Sequence, residues 1–130
     1  MNEIDAVEQW MIKVAEDLQS ADVLLGVGLI DNTCFHAQQA GEKALKAYLV
    51  QFLEDIPHTH NLGKLCQLCM EHDESFADIL RMSSSLTAFA VRTRYPAASI
   101  YTAEDAEEAI KKASQIFMFV QERIIKRESP

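Results

Sequence analysis

Apolar residues recur at steps of three and four along almost the whole chain, and that one periodicity restricts the fold to helices. Val7, Trp10, Val14, Leu18, Ala21 and Leu25 trace one face of a first helix. Gly26 and Gly28 end the pattern, and Asp31 or Asn32 is placed to cap the next helix. The second helix is predicted from about Thr33 to Leu53. Pro57 opens a polar loop, Pro57-His58-Thr59-His60-Asn61, whose Asn61 caps a short helix over about Leu62 to Glu71. That helix carries Leu62, Leu65 and Cys69 on one side. A fourth helix, near Ser75 to Arg94, presents Phe76, Ile79, Leu86 and Ala90 and is interrupted by Ser83-Ser84-Ser85. Pro96 stops it, because proline disfavours helical geometry in the residue before it. Thr102 caps the last helix, with Glu104 and Asp105 at the favourable end of its dipole. Ala106, Ala109, Ala113, Phe117, Val120 and Ile124 form its apolar stripe, and the tail from Lys126 to Pro130 is expected to fray.

Only 4 Gly and 3 Pro punctuate the 130 residues, too few for many short strands. The expected architecture is therefore all-α: an up-and-down antiparallel four-helix bundle with an additional short helix. One domain, residues 1–130, accommodates it. No apolar run approaches the roughly 18 residues of a membrane span. The opening MNEIDAVEQW also lacks the basic-then-apolar layout of a signal peptide, so the expected location is the cytoplasm. Three cysteines, Cys34, Cys66 and Cys69, then point to reduced thiols rather than a disulfide framework.

The formal net charge of −8 disfavours non-specific binding to nucleic acid, whose phosphates the surface repels. Its distribution says more. Residues 1–30 carry six acids and one base, whereas Ile79 to Ala103 carry no acid and three arginines, Arg81, Arg92 and Arg94. That stretch is the first candidate to receive an anion. The competing reading pairs its arginines with the acidic helices.

The stretch FHAQQAGEKALKAYL, Phe35 to Leu49, puts polar residues in unusual places. At about 100° per residue, Gln38 and Glu42 fall on the edge of the arc formed by Ala37, Gly41, Ala44, Leu45, Tyr48 and Leu49. His36, Gln39 and Lys43 lie farther round. A carboxylate at such an edge loses hydration and needs a partner. Within the chain, Arg92 and Arg94 offer a guanidinium fork for Glu42. The edge either packs against helices or a second subunit, or faces a ligand. The candidate polar patch is Gln38, Glu42, His60, Arg92, Arg94 and Tyr95.

Other constellations are weaker. Cys66, Cys69, His58, His60 and His72 invite a zinc reading, but buried cysteines are common core residues and no metal is expected. Gly26-Val27-Gly28 lacks the further glycine of a phosphate loop. Cys34 and His36 point to different sides of their helix, which argues against a nucleophile–base pair. No cofactor is called for.

Phe35-His36-Ala37-Gln38-Gln39-Ala40-Gly41-Glu42-Lys43-Ala44-Leu45-Lys46-Ala47, then Pro57-His58-Thr59-His60-Asn61-Leu62, then Thr93-Arg94-Tyr95-Pro96, resemble the HEPN (higher eukaryotes and prokaryotes nucleotide-binding) domain family. The resemblance runs from Trp10 to the last helix. It implies an all-helical bundle, often a homodimer, of the kind encoded beside a minimal nucleotidyltransferase as a two-component or toxin–antitoxin pair. Many members are ribonucleases that use an arginine followed, after four to six residues, by a histidine. Here no histidine stands in that window after Arg81, Arg92, Arg94 or Arg123, and no residue is assigned a catalytic role. Tyr101, at the end of the window after Arg94, cannot replace a neutral-pH base. The expectation is a non-enzymatic partner subunit of a nucleotidyltransferase that also binds a nucleotide. The alternatives are a toxin-like ribonuclease with a degenerate site, centred on Arg94 and Tyr101 or on His60, and a structural dimerisation adaptor.

Overall fold

The structure, a computed structural model, describes residues 3–89 and 101–128. Arg92, Arg94 and Tyr95 lie outside them. Helix α1 is Glu3–Gly26, α2 is Ile30–Leu49 and α3 is Leu62–Met70. A 3-10 helix, Glu74–Ile79, leads into α4, Leu80–Leu86, and α5 is Ala103–Glu128. The arrangement is the all-α, up-and-down bundle that the periodicity predicts, with α3 as its short extra helix. Helix α2 is central: it packs against α1, α3, α4 and α5.

The periodic faces form the core. Val7, Val14 and Ala21 of α1 are buried, as are Ala106, Ala109, Ala113, Val120 and Ile124 of α5. Ile116, off the predicted stripe, is buried as well. The inner face of α2 is unusually smooth, because Ala37, Ala40, Ala44 and Ala47 are all fully buried. Small side chains let the neighbouring helices come close. At Gly41 the approach is tightest: a Cβ there would lie 2.9 Å from Leu62 Cδ2, 3.1 Å from Leu86 Cδ1 and 3.5 Å from Ile116 Cδ1. One hydrogen atom thus marks the point where α3, α4 and α5 converge on α2.

Caps decide where the helices begin and end. Asn61 accepts from the Lys64 N–H at 3.1 Å, as expected of an N-cap. Thr102 and Asp105 cap each other reciprocally, Thr102 Oγ1 accepting from Asp105 N at 3.1 Å and Asp105 Oδ2 from Thr102 N at 2.9 Å. The expected cap at Asp31 or Asn32 is corrected. Gly28, at φ +80°, turns the chain so that its N–H reaches Leu25 O (3.1 Å) and the Leu29 N–H reaches Leu24 O (2.9 Å). This C-terminal lock delivers Leu29 directly as the N-cap of α2, without a side-chain cap. Asp31 and Asn32 are already helical, and the Thr33 hydroxyl donates back to Leu29 O at 2.9 Å.

Two more boundaries differ from expectation. Helix α2 ends at Leu49 rather than Leu53, because Gln51 N and Phe52 N tighten onto carbonyls three residues back. The predicted fourth helix does not break at its serines. It breaks on either side of them: at Ile79, whose φ −113° and ψ 12° separate the 3-10 helix from α4, and after Leu86, where the Thr87 N–H tightens onto Ser84 O at 3.2 Å. Ser85 is helical all the same, its hydroxyl donating back to Met82 O at 2.7 Å. The 3-10 segment is held from outside by Arg123 of α5. Its Nε lies 3.0 Å from Ser75 Oγ and 3.6 Å from Asp73 Oδ2, with the guanidinium 3.2 Å over the Phe119 ring. Helix α5 itself runs to Glu128, past the expected start of fraying at Lys126.

Among the described residues, no helix is long and apolar enough to cross a membrane.

Candidate functional site

Gln38 and Glu42 sit deeper than an edge position implies, Gln38 fully buried and Glu42 at 4% exposure. Their burial is tolerated because every polar atom is engaged. Glu42 Oε1 accepts from Gln38 Nε2 at 3.1 Å and meets His60 Nδ1 at 2.9 Å. Its other oxygen, Oε2, accepts from Lys46 Nζ at 3.0 Å. Gln38 also donates to His60 O at 3.4 Å, while its own carbonyl accepts from Gln39 Nε2 at 2.7 Å. The structure therefore brings together three members of the predicted patch, Gln38, Glu42 and His60.

Glu42 has partners that the sequence reading did not anticipate. Among the described residues, Lys46 and His60 take its two oxygens, and the arginine pair lies outside those residues. Lys46 is the member of this buried network that sequence reasoning misses. It follows Glu42 by one helical turn, a spacing that pairs charges on any helix, but lysine is rarely an interior residue. Here it is only 9% exposed.

The electrostatics follow from this wiring. Burial alone would push the Glu42 carboxyl up, yet hydrogen bonds from His60, Lys46 and Gln38, with the Lys46 charge, outweigh it. The carboxyl is held below its ordinary value and stays ionised. A buried anion thus anchors an imidazole whose side chain is 51% exposed. With Nδ1 committed to Glu42, the ring presents its Nε2 edge outward, to donate or accept according to its protonation.

The loop that carries His60 is fixed to α4. Thr59 Oγ1 accepts from Asn61 N at 3.1 Å, and the Leu62 N–H donates to Thr87 Oγ1 at 3.0 Å. From Thr87 the chain is five residues from Arg92.

A second set of the same chemistry joins α1 to α2. Asp17, 8% exposed, accepts from Lys43 Nζ on Oδ2 at 2.7 Å and meets His36 Nδ1 on Oδ1 at 3.0 Å. His36 and Lys43 thus turn toward α1 rather than outward. Each buried carboxylate takes one lysine and one histidine.

Cys66, Cys69 and His72 of the zinc reading have packing roles. Cys66 and Cys69 donate to the carbonyls of Phe76 (3.3 Å) and Leu45 (3.7 Å), and His72 stacks on Phe52 at 4.1 Å. Among the described residues no group of three or more His, Cys, Asp or Glu converges on a metal position. Burial pushes the Cys34 thiol up to about 12, with the carboxylates of Asp31 and Asp105 adding to it. Such a thiol is no nucleophile at neutral pH.

The model of the HEPN domain family matches residues 7–124. Two crystal structures are similar throughout. TT1696 from Thermus thermophilus is 29% identical with a TM-score of 0.81, covering 94% of this chain and 98% of that one. ST0689, an archaeal HEPN homologue, is 30% identical with a TM-score of 0.72, covering 91% and 97%. No curated protein matches the chain.

Proposed function

The chain belongs to the HEPN domain family, and from that membership we propose that it serves as the helical partner subunit of a minimal nucleotidyltransferase and binds a nucleotide beside His60. The observation that carries this reading is the 2.9 Å contact between His60 Nδ1 and the buried Glu42. A fold gains little stability by burying a carboxylate and a lysine in order to hold an imidazole half in water. Such an expense is understandable where the outward edge of the ring meets a ligand.

The reading assigns the phosphates of the nucleotide to Arg92 and Arg94, the cations of the acid-free segment that follows Thr87. Guanidinium groups suit phosphate, and His60 Nε2 suits a base or ribose group. Tyr95, next in sequence, is the aromatic available for stacking. Gln38, Glu42 and Lys46 act from beneath by fixing the ring of His60. In this role the protein performs no bond-breaking step. The homodimer belongs to the same proposal.

The test is calorimetric titration of the purified chain with ATP, and co-purification with a minimal nucleotidyltransferase encoded beside it. Arg94→Ala and His60→Ala are expected to weaken nucleotide binding about tenfold or more, the loss of one charged contact. Unchanged nucleotide affinity and unchanged partner capture in Arg94→Ala would show that the site assignment is wrong.

A further inference from the structure

The second carboxylate–lysine–histidine set opens onto a site that the proposed nucleotide role does not use. With Glu16, Gln19, Ser20, Val23 and Leu24 of α1, His36 lines a surface concavity of about 660 Å³. That volume lies within the range of small-ligand sites. The buried partner of His36 sets its chemistry. With Lys43 on Oδ2, Oδ1 of Asp17 is an acceptor placed against His36 Nδ1, and a ring that carries its single proton on that nitrogen has its lone pair on Nε2. The lysine that balances Asp17 is spent on it and is not among the residues lining the concavity.

Around that acceptor the rim is acidic. Among the described lining residues Glu16 alone is permanently charged, and its side chain is 61% exposed. Lys13 lies 3.5 Å from it in an exposed pair, the kind that contributes little and opens readily. Val23, at 60% exposure, and Leu24 supply an apolar wall. Ser20 and Gln19 complete the polar side. Acceptors at one end, methyl groups along the wall and an acidic helix behind them select a ligand with a cationic donor head and a short apolar stem.

We propose that this concavity binds an alkylammonium or alkylguanidinium group. The cationic head lies between the Glu16 carboxylate and His36 Nε2, donating N–H bonds to both, and its methylenes lie along Val23 and Leu24. Anions are rejected, because Glu16 faces them and residues 1–30 carry six acids against one base. The same head group is found on a free amine and on a lysine or arginine side chain of a partner protein. The two sources share one chemistry.

The experiment is an NMR titration of the full chain at about pH 8, where an ordinary imidazole is neutral. The probes are hexylammonium, hexylguanidinium, hexanoate and a lysine-bearing amphipathic peptide. The expected result is saturable shifts of the His36 ring nitrogens and of the Gln19 and Ser20 amides with the cations, and none with hexanoate. Glu16→Gln is expected to weaken the cations about threefold or more, as for an exposed ion contact, and Val23→Ser to weaken the hexyl compounds. Both residues are exposed, so these variants keep the fold. A plateau with the free amines assigns the source to a small molecule, and a plateau with the peptide alone assigns it to a partner's side chain. Equal shifts with hexanoate, no plateau with amines and peptide alike, or undiminished affinity in Glu16→Gln would overturn the proposal.

Discussion

The Nδ1 of His60 lies 2.9 Å from Oε1 of Glu42, so a carboxylate with 5% of its side chain exposed reaches solvent through an imidazole with 51% exposed. The first consequence concerns pH. The folded carboxyl is held below its ordinary value of 4.5, to which it returns in the unfolded chain. Its contribution to stability is therefore complete above that value and is lost as pH falls through the folded value. Urea unfolding at a series of acidic pH values is expected to show this loss, and Glu42→Gln should flatten it. A Glu42→Gln profile with the wild-type slope would contradict the sign.

Glu42 and Lys46 should be strongly coupled. Replacing Glu42 alone leaves the Lys46 ammonium buried without its partner, which costs about 3–5 kcal/mol. Lys46→Met should cost less, about 1–3 kcal/mol, since His60 and Gln38 still serve the carboxylate. The double variant Glu42→Leu/Lys46→Met should recover much of the first loss. A thermodynamic cycle from denaturant unfolding measures this directly, and additive losses would refute the coupling.

Gly28→Ala tests the turn between α1 and α2. Beyond its two chain neighbours no residue lies within 4 Å of the added methyl, so the φ of +80° is what opposes it. The expected loss is about 1–2 kcal/mol, with Gly28→Asn milder because asparagine tolerates that region better. Equal stability of the alanine variant and wild type in thermal unfolding would show that the turn does not need glycine.

The three thiols should be silent in the native protein. Cys34, Cys66 and Cys69 are buried and their thiols are pushed up. A disulfide reagent is expected to label three thiols per chain in denaturant and almost none without it, at a rate that follows unfolding. Rapid labelling of the folded chain would contradict the packing.

The bundle was legible because burial and a 3.6-residue period are the same information: Val7, Val14 and Ala21 had to share a side, and they do. Asn61 and Thr102 were legible as caps because their side chains make the bond themselves. The start of α2 was not, since backbone groups around Gly28 set it and leave no side-chain signature beyond the glycine. Gln38 and Glu42 were legible as inward polar residues, and His60 as their neighbour. Lys46 was hidden by its type. A lysine turns inward only when a carboxylate is already there to receive it, and that condition depends on three dimensions. The placement of Arg92, Arg94 and Tyr95 falls outside the described residues.

The alanine face of α2 is nearly featureless. Its four alanines offer little resistance to a slide of one turn, about 5.4 Å, and along them only Gly41, where a Cβ would meet Leu62 at 2.9 Å, marks a position. The two carboxylate sets remove that freedom. Asp17 engages α2 at His36 and Lys43, and Glu42 engages the loop at His60. A slip of one turn would strand a buried carboxylate at each end. These ionic contacts act as register pins beside the close fit at Gly41, and together they hold α2 in one position.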